Sequence, residues 1–413
     1  MARSLDDGPE APLRVLWLTD SLKGAWRDAQ IGPFLKATDP SRISVDLLAI
    51  DQAAEPDLAE RIQGLSASVR TLGSRARPGP LGILRLLLRA RGGYDLIHAH
   101  QPHACFWGAL AGRLAGVPVV GTLYGEDPDE EGPSEAAGAR ERRAARALRR
   151  WSRRVVAISR AQWDEYVREA VFSRPFVDVV YQGVEPGAVR PEKDDDREWL
   201  RAKAGFPEGT LIAATWTSFD DWGHGVDTLL SAASAVLQDM PRARFVISGE
   251  GKHRAELQRR VRAKGLNTFV YWAEPDDDTG RILSGADLFI HPSLRDPFPR
   301  EALEAMAARL PVVGTRVGAV PEIVGSAAVG RLVPRANPEA LARAVVELFR
   351  EPEKLTAMGE EARNRVVQEF SARQWVEEME EVYRAVVREA RSGAPKREWS
   401  YARLSVSLLN HGT

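Results

Sequence analysis

The sequence contains a single cysteine, Cys105, among 413 residues. An intrachain disulfide is therefore impossible, and a reducing compartment is expected. No apolar run approaches the roughly 18 residues that a membrane-spanning helix needs. The opening stretch, MARSLDDGPEAPLR, has no hydrophobic centre of the kind that marks a secretory signal. An excess of one charge is missing too: 57 Lys and Arg oppose 58 Asp and Glu, a net charge of -1. That balance argues against a chain-wide electrostatic footprint for nucleic acid, so no nucleic-acid partner is expected. These absences leave a cytoplasmic protein, one able to touch the inner membrane face.

What is present is enough apolar material for a real core, 44% hydrophobic against 28% charged residues. The length corresponds to about two domains. Short continuous apolar runs recur at Leu13–Thr19, Ser44–Ile50, Ala67–Leu72, Tyr94–Ala99, Val117–Leu123, Arg154–Ser159 and Val177–Gln182. Helical patterns lie between them. Runs without a polar side are the mark of parallel strands covered on both faces. A polar patch at Pro191–Arg197 reads as a hinge. The rhythm then restarts at Leu211–Trp216, Arg244–Ser248, Thr268–Trp272, Asp287–His291, Pro311–Gly314 and Val329–Val333. The expected fold class is α/β, with two Rossmann-like, doubly wound parallel-sheet domains facing a central cleft. Residues 1–190 form the first, 191–385 the second, and 386–413 a tail that crosses back to the first. Ligands of such sheets sit beyond the carboxyl ends of the strands, so the cleft is the expected site.

The most informative segment is DLFIHPSLRDPFPREALEAMAARLPVVGTRVGAVPEIVG, Asp287–Gly325. A strand ends at His291, and a proline-rich turn leads into a helix near Pro299. Asp296 precedes that helix. Glu304 lies inside it among Ala302, Leu303, Ala305 and Met306, and a carboxylate in apolar surroundings needs a partner or a ligand. Seven residues separate the two acids.

This spacing, with ADLFIHPS before it and RLVPRANPEALARAV after it, resembles the acid-x7-acid motif of retaining GT-B glycosyltransferases of family 4, also described as glycosyl transferases group 1. The first half is similar through YDLIHAHQPH, GVPVVGTLYGED and RVVAIS. The resemblance spans about residues 13–390. It implies a metal-independent hexosyltransferase that moves a hexose-like sugar from a nucleotide diphosphate sugar to a hydroxyl acceptor. The nucleotide sugar is then a substrate, and no cofactor is expected. Asp296 would contact donor-sugar hydroxyls and Glu304 the nucleotide ribose, since a carboxylate accepts two hydroxyl bonds side by side. Gly249 and Gly251 in the SGEG loop would face the nucleotide, Val270–Ala273 the base, and the GAVPE loop with Val320 and Glu322 the diphosphate. Phe298 belongs to the same turn. On the acceptor side stand Gly24 in the loop after the first strand, and His98 and His100, which alternate onto one strand face. Tyr124 occupies the place of a histidine common in the family, and with His100 it completes the catalytic set.

The departures from the family pattern are specific. Family members carry an Arg and a Lys after the first strand of the second domain, where they neutralise the leaving diphosphate. Here the text is ATWTSFDDWGHGVDTLL: His224 stands at the lysine position, no arginine is present, and Asp220 and Asp221 add negative charge. Arg295 and Arg300, beside Pro299, are candidates for the missing positive charge. The alternative reading is a GT-B protein that binds sugar or nucleotide with little catalysis, or that uses a donor without a nucleotide diphosphate. A metal site at His98, His100 and His103 is not favoured, because no further ligand is placed by the sequence. The acceptor is a glycan, a lipid-linked molecule or a small molecule. Arg140–Arg154 holds eight arginines and one glutamate around the stripe Ala144, Leu148, Trp151 and Val155. It reads either as a surface helix packed on its own sheet or as a peripheral membrane contact attracted to anionic lipid.

Overall fold

The computed structural model describes residues 11–22, 25–50, 68–72, 80–124, 135–168, 171–173, 176–188 and 194–393. The first lobe holds strands β1 (Leu13–Thr19), β2 (Ile43–Ala49), β3 (Val69–Thr71), β4 (Leu96–His100), β5 (Val119–Thr122), β6 (Arg154–Ala157) and β7 (Val177–Val179). They form one parallel sheet in the order β3-β2-β1-β4-β5-β6-β7. The second lobe holds β8 (Leu211–Trp216), β9 (Ala243–Ser248), β10 (Val270–Trp272), β11 (Leu288–His291), β12 (Val312–Thr315) and β13 (Gly330–Val333). Its parallel order is β10-β9-β8-β11-β12-β13. Every apolar run singled out in the sequence forms one of these strands. The inner strands β4, β5, β6, β11 and β12 are buried at every position, because helices cover both faces of each sheet.

In each sheet the strand order reverses once, between β1 and β4 and between β8 and β11. Such a switch point splays the loops at the strands' carboxyl ends and opens a crevice there. The loops after β8, β9, β11 and β12 carry Asp220–His224, Gly249–Gly251, Pro292–Pro299 and Arg316–Ala319. Those after β1, β4 and β5 carry Asp20, Gln101 and Tyr124.

The crossing between the lobes differs from the expected hinge. Asp194–Arg197 are the first turn of a helix, Asp194–Ala204. Acidic residues at a helix N-terminus are favoured by the unpaired N–H groups there; residues 191–193 lie outside the described residues. The crossing segments instead pair with each other. Val184 N donates to Phe370 O at 3.0 Å, and Ala372 N donates to Val184 O at 2.7 Å.

The helix that follows, Ala372–Arg391, lies on the first lobe, so the expected boundary at 385 falls inside it. Trp375, Val376, Met379, Tyr383, Val386 and Val387 recur at helical spacing and pack among Leu13, Val15, Trp17 and Phe34. Buried Arg154 donates to Glu389 at 2.5 Å and lies 3.6 Å from Asp178. Residues 394–413 of the expected tail lie outside the described residues.

The arginine-rich helix is Glu135–Trp151. Its stripe faces inward: Ala144 and Leu148 are fully buried, with Val155, in the first-lobe core. The apolar stripe is therefore unavailable to a bilayer. Among the described residues no helix is long and apolar enough to cross a membrane.

Candidate functional site

The second-lobe half of the cleft is built around the turn between β11 and the helix Arg300–Ala307. Pro299 precedes that helix, where its missing N–H costs nothing. Asp296 sits at the apex. Its Oδ1 accepts from Phe298 N at 3.0 Å, and its Oδ2 lies 2.9 Å from His291 Nε2. Burial disfavours the charged form of His291, yet contact with Asp296 holds its pKa above the ordinary value. Glu304 is one turn into the helix and takes Arg300 Nη2 at 2.7 Å. Burial raises its pKa, and the Arg300 cation opposes that rise. Glu301, a third acid on the same turn, is pushed up to about 7 by burial and by the charge of Asp296.

Neighbouring loops fix this turn. Gly318 follows β12 with φ +45°, and a Cβ there would collide with the carbonyl of Asp296. Gly249 has φ +143° and presses on the carbonyl of Thr217, with Gly251 beside Phe219 and Asp220. Phe219 N donates to Glu250 O at 2.7 Å, and Lys252 N to Asp220 Oδ1 at 3.0 Å. The loops after β8 and β9 are thus zipped together. Arg254, absent from the sequence-based candidates, donates to Gly249 O at 2.7 Å and Ala273 O at 2.8 Å. It braces both segments expected to face the nucleotide.

The candidate cations are already engaged. Arg295 pairs with Asp221. Asp221 also caps the short turn Trp222–His224 by accepting from Gly223 N. His224 is half-buried, and burial lowers its pKa against the pull of Asp296 and Asp221. Glu322, expected near the diphosphate, points to the other lobe. Its Oε1 accepts from Ala161 N at 2.7 Å, and its Oε2 from Arg160 N at 2.9 Å and the Tyr181 hydroxyl at 2.7 Å. Val320 is fully buried against Gly314, so it supports the loop from below. Phe298 is nearly buried, and its ring lies 6.4 Å from that of Tyr181.

On the first-lobe side, His98 is buried and its bonds are spoken for. Trp17 Nε1 donates to the Tyr383 hydroxyl at 2.9 Å, which leaves that hydroxyl to donate to His98 Nδ1 at 2.6 Å. His98 then carries its proton on Nε2, 2.9 Å from Thr122 Oγ1. His98 therefore organises the wall and offers no ring nitrogen to an acceptor. The His100 ring lies 3.9 Å from that of His98 at a tilt of 41°, and its Nδ1 meets the Tyr124 hydroxyl at 2.7 Å. Its Nε2 is buried without a partner among the described residues. Burial lowers the His100 pKa to about 3 and raises that of Tyr124, so both are neutral at physiological pH. Gln101 adopts φ 72° between β4 and the helix Pro102–Ala115, a strained conformation for a non-glycine residue. Its Oε1 accepts from Thr19 Oγ1 at 2.9 Å and Asp20 N at 3.2 Å. Gly24 lies outside the described residues. Among the described residues, no group of three His, Cys, Asp or Glu is arranged to hold a metal ion.

The family resemblance singles out Asp296 and Glu304. It does not single out His291, Glu301, Tyr181 or Arg254, which the structure brings against the expected site residues. Only Glu301 had a visible signal, as a further acid inside the same motif.

Comparison with known proteins bears on the family and the fold. The family model for Glycosyl transferases group 1 matches residues 196–365, and that for Glycosyltransferase Family 4 matches residues 37–187. The chain is 29% identical over 271 residues to the 2-deoxystreptamine N-acetyl-D-glucosaminyltransferase of Streptomyces fradiae, covering 63% of this chain and 64% of that protein. It is 26% identical over 304 residues to the N-acetyl-alpha-D-glucosaminyl L-malate synthase of Bacillus anthracis, covering 72% and 77%. The chain thus spans just under two thirds of the length of the Streptomyces relative. Among solved structures, Anabaena Alr3699/HepE in complex with UDP superposes with a TM-score of 0.76 at 22% identity, covering 90% of this chain and 100% of that one. With one family model on each lobe and both sheets in the same doubly wound order, the chain belongs to glycosyltransferase family 4 and has the GT-B fold.

Proposed function

We propose that the protein is a retaining glycosyltransferase that moves a hexose-like sugar from a nucleotide diphosphate sugar to a hydroxyl acceptor. The observation that carries this reading is the placement of Asp296 and Glu304 at the second-lobe switch point. Asp296 lies just before the helix beside His291, Glu304 lies one turn into it beside Arg300, and Gly318 presses on the Asp296 carbonyl. Asp296 would take donor-sugar hydroxyls, and Glu304 the two ribose hydroxyls. The orphaned Nε2 of His100, with the Tyr124 hydroxyl, is suited to a hydroxyl of the acceptor. Neither residue is a strong base: His100 is held neutral by burial, and a buried tyrosine keeps its proton. Proton removal from the acceptor then falls to the leaving phosphate of the donor. The named relatives bear on donor and acceptor only by analogy; the acceptor is a glycan, a lipid-linked molecule or a small molecule.

The test is a thermal-shift screen with nucleotides and nucleotide sugars, followed by Asp296→Asn and Glu304→Gln. Stabilisation by one nucleotide sugar is expected. Loss of one ribose-type bidentate contact should weaken binding by about 1.5–3 kcal/mol, roughly 10- to 100-fold. Asp296→Asn should abolish the part of binding due to the sugar and leave that of the bare nucleotide. If no nucleotide or nucleotide sugar stabilises the protein, the proposal fails, and a donor without a nucleoside takes its place.

A further inference from the structure

We infer that Glu322 and Tyr181 are positioning residues that lock the angle between the two lobes and link it to the Asp296 turn. Glu322 lies in the second lobe, on the short helix Val320–Val324. Its three acceptor contacts all reach residues outside that lobe's sheet: the backbone N–H groups of Arg160 and Ala161, and the Tyr181 hydroxyl. Arg160 and Ala161 open the first-lobe helix Arg160–Arg168, which has nine residues. The first N–H groups of a helix have no partner within it. Ser159 Oγ accepts the third of them, from Gln162 N at 3.1 Å. Glu322 satisfies the first two from across the interface, with a full negative charge placed where the helix favours it.

Tyr181 ties this contact to the crossing segments. It lies just after β7 and just before the paired residues Val184 and Phe370. Its ring stands edge-on to Phe370 at 5.4 Å and beside Phe298 at 6.4 Å. Phe298 in turn donates its N–H to Asp296. The other end of the Glu322 segment reaches the same acid, because Gly318 is wedged against the Asp296 carbonyl. The segment between these ends has little freedom. Val320 is fully buried, and Arg365 donates to Glu322 O and Ile323 O, both at 2.9 Å. A rotation of one lobe must therefore break a three-bond, part-buried carboxylate contact or carry the Asp296 turn with it. The functional meaning rests on the cleft being the donor site; the lock itself does not.

The experiment measures the distance between spin labels on Arg113→Cys and Arg343→Cys, one exposed position in each lobe. Cys105 is fully buried and stays unlabelled. The full chain is compared with Glu322→Gln, Glu322→Ala and Tyr181→Phe, without ligand and with UDP as probe. Gln keeps one acceptor oxygen of two, Ala keeps none, and Phe removes a single bond while keeping the ring. Without ligand, a narrow distribution in the parent should broaden in the order Phe, Gln, Ala. The ratio of locked to open molecules should fall about tenfold for Glu322→Ala. Parent-like distributions in both Glu322→Ala and Tyr181→Phe overturn the lock. Calorimetry of UDP on the same samples separates the two readings. Absence of heat with a broadened distribution counts against the donor reading and leaves the lock standing.

Discussion

Glu301→Gln provides a sharp test of the electrostatics around the acid pair. Glu301 sits between Asp296 and Glu304, and its carboxyl is raised from 4.5 to about 7 by burial and by Asp296. A carboxyl whose folded pKa exceeds its unfolded one binds its proton more tightly in the native state. Its contribution is complete below the unfolded pKa and is lost as pH rises through the folded one. The relevant window therefore runs from about pH 4.5 to about pH 7. At about 1.4 kcal/mol per pKa unit the full difference is about 3.5 kcal/mol, and partial solvent access brings it to about 2 kcal/mol. Glutamine has the same shape and no charge to bury. The variant and the parent should match near pH 4.5, and the variant should be more stable by about 2 kcal/mol at pH 8. That corresponds to roughly 4–8 °C in the melting temperature of a lobe of this size. Thermal melts of both proteins across this pH range read the difference directly. Common titrations cancel between the two proteins. A difference that is flat with pH, or that favours the parent at pH 8, would refute the burial of a second acid beside Asp296.

Two further outcomes follow from the same geometry. Burial holds His224 below the ordinary histidine pKa, and a bound diphosphate would raise it; binding then takes up a proton. Diphosphate affinity should rise as pH falls from about 8 to about 6. Titration calorimetry should find that dependence abolished in His224→Lys, with tighter binding at pH 8. Tyr383→Phe removes the hydroxyl that joins Trp17 Nε1 to His98 Nδ1 and leaves two buried polar atoms unpaired. It should cost about 1–3 kcal/mol in denaturant unfolding; an unchanged midpoint would count against the derived tautomer of His98.

The fold was legible because each sheet is parallel and covered on both faces. Strands such as Leu288–His291 and Val312–Thr315 then have no exposed positions, and their largely apolar runs stand out from the helices between them. The acid pair was legible for a related reason: its two members are close in sequence and share one helix entry. What the sequence hid is pairing between distant segments. Glu322 finds partners 162, 161 and 141 residues away, and His98 finds Tyr383 at a separation of 285. Periodicity carries no trace of such contacts. The same limit explains the stripe on the arginine-rich helix. Its apolar spacing fits a bilayer or a sheet equally well, and only the position of Gly121 beneath Leu148 decides for the sheet.

The charge pattern around Asp296 and Glu304 depends on both the residues present and the pairs they form. The sequence shows an absent Arg-Lys pair and two added aspartates after β8. The structure shows that the nearby guanidinium cations are present but already paired. Arg295 is held by Asp221 and Arg300 by Glu304, while Asp296 faces His291. These pairs are partly desolvated, so attraction within them is stronger than at an open surface, and separating them carries a cost. A diphosphate entering such a site does not meet bare positive charge. It competes with a carboxylate for a guanidinium that is already oriented towards the cleft loops. Exchange of that kind trades affinity for selectivity, because only a ligand that also satisfies the displaced carboxylate recovers the loss. Hydroxyl-rich sugars and riboses supply several such donors, whereas free phosphate at neutral pH is chiefly an acceptor. On the proposed function, the same acids that make the site look unsuited to a bare diphosphate would favour a diphosphate that carries a sugar.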